Sequence, residues 1–377
     1  MDTKKYFILW MVFIPLLGMS CHSPSHQVSE STEITQAPPA GTLELLNLPP
    51  SKPVPFEPLP PVWGGANQAQ LWFQPDHRRQ RQLVAVQNAG LRMLRIILGH
   101  REESVWWDDP PDPYTFESPI GFFHEDSFNR VDRFITECRQ AGIRLIVTFG
   151  IPTNYFAEFG DWDFYTSTAA KRAYLNRIRQ CLLHVHQPSG AMWRDLDDVI
   201  WAWEIANEPG INLKGKNSHS PEETVATIHS WLTMCAATIA ALDPDTLISI
   251  GTAGHSRYYG VNTGDDLRDL GDIPHADIYT LHFYGGDLKQ WIRDAKTVTV
   301  PFHKQLFIEE FGVQRKARFN GQIETYRYVT EICNRARVPW MFWNLGHLKE
   351  DSAWCISEDD PVWNDVVVPA AQETSGL

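Results

Sequence analysis

The sequence predicts an α/β protein whose folded part is a single (β/α)8 barrel of the TIM type, and three observations carry that expectation. Eight short apolar runs alternate with amphipathic helical stretches over most of the chain. Eight is also the strand count at which a parallel sheet closes with its interior filled by side chains. Polar residues gather near the C-terminal ends of these runs, the end at which such barrels hold their sites.

Ahead of the barrel the chain reads as a leader and a tether. Lys4 and Lys5 precede an apolar run over 6–17, and Gly18 and Ser20 lead to Cys21. The run is short for a membrane-spanning helix, and its flanks are those of a signal peptide. Leu17-Gly18-Met19-Ser20-Cys21 resembles a bacterial lipobox, whose cysteine becomes the lipid-bearing first residue, although Gly18 stands where Leu is commonest. Residues 1–21 are thus expected to direct export and to leave a membrane anchor. Residues 22–61, rich in Pro, Ser, Thr and Gln, cannot bury enough surface to offset their ordering entropy and are expected to be a flexible, disordered linker. The barrel is expected over 62–377.

The expected strands are 61–65, 91–98, 143–149, 199–206, 247–251, 278–283, 306–310 and 339–344. Helical stretches fall at 78–89, 127–141, 169–186, 224–242 and 321–336. The net charge of −13 and the absence of a basic stripe argue against a nucleic-acid partner, which needs clustered Lys and Arg to displace counterions. Fifteen Trp, nineteen Phe and eleven Tyr exceed what a core of this size needs, and flat aromatic faces suit sugar rings as well as cores. Beyond Cys21, Cys138, Cys181, Cys235, Cys333 and Cys355 are odd in number and scattered, so buried free thiols are expected rather than a disulfide framework.

Two segments carry chemistry. Trp201-Ala202-Trp203-Glu204-Ile205-Ala206-Asn207-Glu208-Pro209 is an apolar strand that leaves the sheet on a polar pair. Leu306-Phe307-Ile308-Glu309-Glu310-Phe311-Gly312 is another that finishes on two adjacent acids. Strand alternation sends neighbouring side chains opposite ways, so only one of Glu309 and Glu310 is expected to face the barrel mouth. Two carboxyl groups meeting across that mouth suit glycosidic bond cleavage, in which one protonates the leaving oxygen. In the retaining reaction the other attacks the anomeric carbon, and the pair sit roughly 5–5.5 Å apart.

The chain resembles glycoside hydrolase family 5 in Asn207-Glu208-Pro209, His282-Phe283-Tyr284, Glu310-Phe311-Gly312 and Trp343, in this order over about 62–347. The resemblance implies Glu208 as acid/base and Glu310 as nucleophile, with Glu309 a neighbour. It implies Asn207 on the sugar 2-hydroxyl, Arg95 and Tyr284 on the nucleophile's carboxylate, His282 near the acid/base, and Trp343 under the sugar being cleaved. Gly160-Asp161-Trp162-Asp163-Phe164-Tyr165-Thr166 looks like the endo-β-1,4-mannanase branch, where a similar segment opens the following helix. Gly210 and Gly285 depart from that branch, which usually carries Arg and Pro there. An endo-β-1,4-glucanase and a transglycosylase therefore stay open beside the mannanase, as does a non-catalytic sugar-binding lipoprotein.

The remaining signals imply less. Trp106, Trp107, Trp162 and Trp291 fall in strand-following loops and are candidate stacking platforms. Gly264-Asp265-Asp266, Asp269 and Asp272 lack the spacing of a calcium loop and read as solvated acids. His184 and His186 do not share a helix face. No metal or cofactor is expected, the partner is a carbohydrate polymer or oligosaccharide, and the protein is expected to be a monomer.

Overall fold

A computed structural model describes residues 62–99, 116–211, 219–314, 319–346 and 354–375. The expected leader and tether, and Trp106 and Trp107, lie outside these residues. Strands β1 (Gly64–Asn67), β2 (Met93–Ile97), β3 (Arg144–Thr148), β4 (Ile200–Glu204), β5 (Leu247–Ser249), β6 (Ile278–Phe283), β7 (Gln305–Phe311) and β8 (Trp340–Trp343) follow in chain order. Each pairs in parallel with the next, and β8 returns to β1, closing the expected barrel.

Around the barrel lie α1 (Asp76–Ala89), α2 (Glu125–Ala141), α3 (Thr153–Phe159), α4 (Asp161–Thr166), α5 (Thr168–Leu183) and α6 (Pro221–Leu242). They are followed by α7 (Leu267–Leu270), α8 (Leu288–Thr299), α9 (Phe319–Ala336) and α10 (Val368–Ser375). The helix α8, absent from the sequence expectation, buries Leu288, Trp291, Ile292 and Ala295 at helical spacing. The segment 161–166 does not open the following helix. It forms α4, and the Ser167 side chain then accepts the Ala170 N–H to cap α5.

The first strand lies further along the chain than the expected 61–65, at Gly64–Asn67, and shares Gly64 and Gly65 with it. They are strand residues for a steric reason. A Cβ at Gly64 would lie 2.6 Å from the Trp340 ring on β8, and one at Gly65 would lie 2.9 Å from the Met93 carbonyl on β2.

Inside the barrel, at the end away from the site, Trp63, Met93, Ile146, Trp201, Ala202, Ile278, Phe307 and Met341 form a buried cluster of their own. Trp201 stacks on Phe307 at 5.4 Å, and both meet Trp63 edge-on. Aromatic pairs of this kind contribute about 0.5–1.5 kcal/mol each beyond area burial. Much of the tryptophan excess is core: Trp63, Trp72, Trp193, Trp203, Trp231 and Trp340 are among the largest fully buried side chains. Cys138, Cys181, Cys235, Cys333 and Cys355 are free and buried.

Candidate active site

Arg95 on β2 is fully buried and points into the barrel, where it organises the floor of the site. Its Nε and Nη2 grip Glu204, the last residue of β4, at 3.0 and 2.7 Å. Nη1 donates to Asn67 Oδ1 at 3.0 Å and to Glu310 Oε1 at 2.6 Å, and Nη2 also reaches Asn207 Oδ1 at 2.7 Å. Thr148 donates to Glu204 at 2.9 Å, and Asn67 Nδ2 donates to the Glu309 carbonyl at 2.8 Å. The guanidinium fork thus joins β1, β2, β4 and β7 through charge-assisted bonds.

The second pillar is His282 on β6. Its Nδ1 lies 2.7 Å from Glu208 Oε1 and 3.4 Å from Glu310 Oε2, and its Nε2 lies 3.3 Å from Glu309 Oε2. Burial works against charge on this ring, but Glu310, Glu208 and Glu309 outweigh it and push the imidazolium up to about 10. Burial and Glu309 hold Glu204 well above the ordinary carboxylate range, while Arg95 and His282 overcome burial at Glu309 and hold it at about 2. The two neighbouring carboxyls are thus driven in opposite directions. At Glu208 burial is likewise opposed, chiefly by His282, and the net shift is downward.

Glu208 follows β4 on a turn instead of ending the strand, which stops at Glu204. Its φ of 47° is a left-handed conformation that costs a non-glycine residue about 1–3 kcal/mol and persists only where surroundings enforce it. Here the Asn207 N–H donates to the Gly150 carbonyl at 2.9 Å and the Glu208 N–H to the Gly251 carbonyl at 2.8 Å, pinning the turn to the exits of β3 and β5. The Glu208 side chain is 38% exposed, whereas Glu310 is nearly covered. The Tyr284 hydroxyl donates to Glu310 Oε2 at 2.7 Å. Burial of that hydroxyl and the Glu310 charge beside it push the phenol well above its ordinary range, which keeps it a donor.

One oxygen each from Glu208 and Glu310 and a nitrogen of His282 all lie within 4.8 Å of one another. Such spacing could also enclose a small cation. However, Arg95 and Tyr284 engage both oxygens of Glu310, and His282 already faces Glu208, so the set is arranged for proton transfer. Trp343 ends β8 half-buried, with its carbonyl against Gly312, where a Cβ would collide with it. The structure thus brings Arg95, Asn207, Glu208, His282, Tyr284 and Glu310 into one contact network, with Trp343 at the adjoining strand end.

One sequence expectation fails here. Glu309 and Glu310 do not point opposite ways, since both touch Arg95 and His282. The β6–β7 register slips between Leu281, opposite Ile308, and His282, opposite Glu310. This bulge puts an extra residue on β7 and re-aims the side chains there.

Other loop candidates resolve differently as well. Trp291 is buried, with Tyr258 stacked on it at 4.7 Å, and is packing. Trp162 is half-buried with one face on the His219 ring. Asp265 and Asp266 are buried rather than solvated. Asp265 accepts from Gly254 N and the Thr263 hydroxyl, and Asp266 caps α7 and pairs with Arg268 at 2.8 Å.

Three neighbours carried no sequence expectation: Asn67, Glu204 and His255. A carboxylate closing the apolar run of β4 was the one available signal, for Glu204. His255, buried after β5, faces Glu208 and Asp265; burial lowers its proton affinity against both carboxylates.

The family model described as Cellulase (glycosyl hydrolase family 5) matches residues 53–349. The chain belongs to glycosyl hydrolase family 5. Relatives within reach include mannan endo-1,4-beta-mannosidase 1 of Arabidopsis thaliana, 26% identical over 53% of this chain and 51% of its own length. Mannan endo-1,4-beta-mannosidase 1 of Oryza sativa subsp. japonica is 26% identical over 60% and 61%. The chain spans about half the length of the first plant relatives it matches. Among solved structures, the endo-1,4-beta-mannanase of Rhizomucor miehei superimposes with a TM-score of 0.72 at 20% identity, covering 87% of this chain and 98% of that one. The endo-beta-1,4-mannanase of Thermotoga petrophila gives 0.67 at 22%, covering 84% and 77%. At these identities the structural likeness speaks for the family 5 fold alone.

Proposed function

We propose that this family 5 protein is a retaining β-glycosidase that cleaves internal β-1,4 bonds of a mannan-type polysaccharide. The observation that carries the reading is the pair of carboxyl groups, Glu208 and Glu310, with oxygens within 4.8 Å across one pocket. Inverting enzymes need about 6.5–9.5 Å to admit a water between their carboxyls, and retaining ones about 5–5.5 Å. Glu310, gripped by Arg95 and Tyr284, is the nucleophile; Glu208, more exposed and paired with His282, is the acid and then the base. Asn207 has its oxygen turned to Arg95, leaving its amide nitrogen as the end to meet a sugar hydroxyl. The relatives named as mannan endo-1,4-beta-mannosidases support the mannan substrate.

A β-1,4-glucan substrate is the second reading, favoured by Gly210. Tyr165 clamps that residue, donating to its carbonyl at 3.1 Å and accepting from its N–H at 2.9 Å. A Cβ there would lie 3.3 Å from Thr263, so the arginine of the mannanase pattern would need that neighbour to give by a few tenths of an ångström.

The test is cleavage of β-1,4-mannan, glucomannan and cellulose-type substrates by the full chain, with Glu208→Gln and Glu310→Gln alongside. Loss of at least about a thousandfold in kcat in both variants is expected, with products keeping the β configuration. A folded wild-type protein that cleaves none of these polymers overturns the reading. We also propose export with a lipid anchor at Cys21, which membrane fractionation of wild type against Cys21→Ala would test.

A further inference from the structure

We infer that Glu309 is a positioning residue that holds His282 doubly protonated, so that the proton Glu208 delivers is kept on the Glu208–His282 pair. The inference rests on the glycosidase reading. His282 is fully buried, and both ring nitrogens face carboxylates, Nδ1 at 2.7 Å from Glu208 and Nε2 at 3.3 Å from Glu309. A neutral imidazole has one N–H and one lone pair and can satisfy only one such neighbour, whereas the cation satisfies both.

The charges around the ring are few. Glu208, Glu309 and Glu310 face it as acids, and Arg95 and His255 stand on the cationic side, Arg95 Nε 3.6 Å from Glu309. Glu204 stands behind Glu309 and Arg95 and acts on the ring through them. Of the three acids, Glu310 becomes an ester during the proposed reaction, and Glu208 passes the ring's proton on to the leaving oxygen. Glu309 is fully buried on the floor, out of reach of any sugar, and is the countercharge that stays.

The step balances. As the glycosidic C–O bond breaks and the anomeric carbon bonds to Glu310, Glu208 protonates the leaving oxygen and takes the Nδ1 proton of His282. One carboxylate becomes an ester and one imidazolium becomes imidazole, so an anion and a cation vanish together. Glu310 Oε2 lies 3.4 Å from Nδ1, and the loss of its charge loosens the ring's proton as that proton is needed. In the second half, water attacks the ester, its proton returns to the pair, and Glu310 leaves as carboxylate.

The test uses Glu309→Gln in the full chain. Nitrogen chemical shifts of isotopically labelled histidine, with His282 assigned by its loss in His282→Gln, read the ring directly. An imidazolium is expected in wild type at about pH 8, above the ordinary imidazole range, and a titration lower by about one pH unit or more in Glu309→Gln. Glu309→Asp, which keeps the charge, should restore it in part. The alkaline limb of kcat/KM on the cleaved polymer should move with the ring. A neutral wild-type ring at that pH, or a titration and an alkaline limb that Glu309→Gln leaves in place, overturns the inference. The shift measurement needs no substrate, so a protein inactive on every polymer would sink the glycosidase reading while the ring still titrates. If Glu309→Gln does not fold, the wild-type ring and Glu309→Asp decide.

Discussion

At the scale of single residues, Arg95 bears the most. A lysine there would keep the charge and lose the fork, offering three donors from a point where the guanidinium offers five in a plane. Glu204, gripped twice by the guanidinium, would lose at least one of those bonds inside a sealed floor. Leaving a buried hydrogen-bonding group unsatisfied costs about 1–3 kcal/mol, so Arg95→Lys should show that loss in denaturant unfolding as well as a collapse of kcat. Arg95 was legible in the sequence as a cation in the apolar run 91–98, which also holds Arg92. Its partners were less so. Asn67 lies just past the expected first strand, 61–65, and the link from Arg95 to Glu204 joins residues 109 apart, a contact no local pattern encodes.

The strands show where periodicity reads well and where it breaks. The eight runs were found nearly in register, and β6 was bounded at 278–283, the range observed. The alternation rule then failed at β7 and at β4, where Trp201 and Ala202 share the interior cluster, because a bulge is a property of the pairing of two strands and leaves no mark on one of them. Glycines carry some of the missing information. Gly251, at φ 66°, sits so close to the Ala206 carbonyl that any Cβ would collide with it, and its own carbonyl holds the Glu208 N–H. Gly251→Ala should therefore push the turn that bears Glu208, costing about 1–3 kcal/mol of stability. Thermal unfolding would register that cost, and kcat should fall with little change in KM.

Over the whole molecule, the buried charges set how stability follows pH. His282 in the fold holds its proton to about 10, above the ordinary histidine value of 6.5, so its contribution is full below the ordinary value and is lost as pH rises through about 10. Glu309, held at about 2, contributes above its ordinary value of 4.5 and loses that contribution as pH falls through about 2. The melting temperature should accordingly drop on the alkaline side between about pH 7 and 10, and Glu309→Gln should move that drop to lower pH, as calorimetry would show. The fold itself was readable because eight alternations admit few architectures, while the loops that set subsites were not. The aromatic cluster of Trp63, Trp201 and Phe307 closes the far end of the barrel. A polymer therefore has no axial tunnel to thread: it must lie across the rim, and both severed halves and the incoming water share a single doorway.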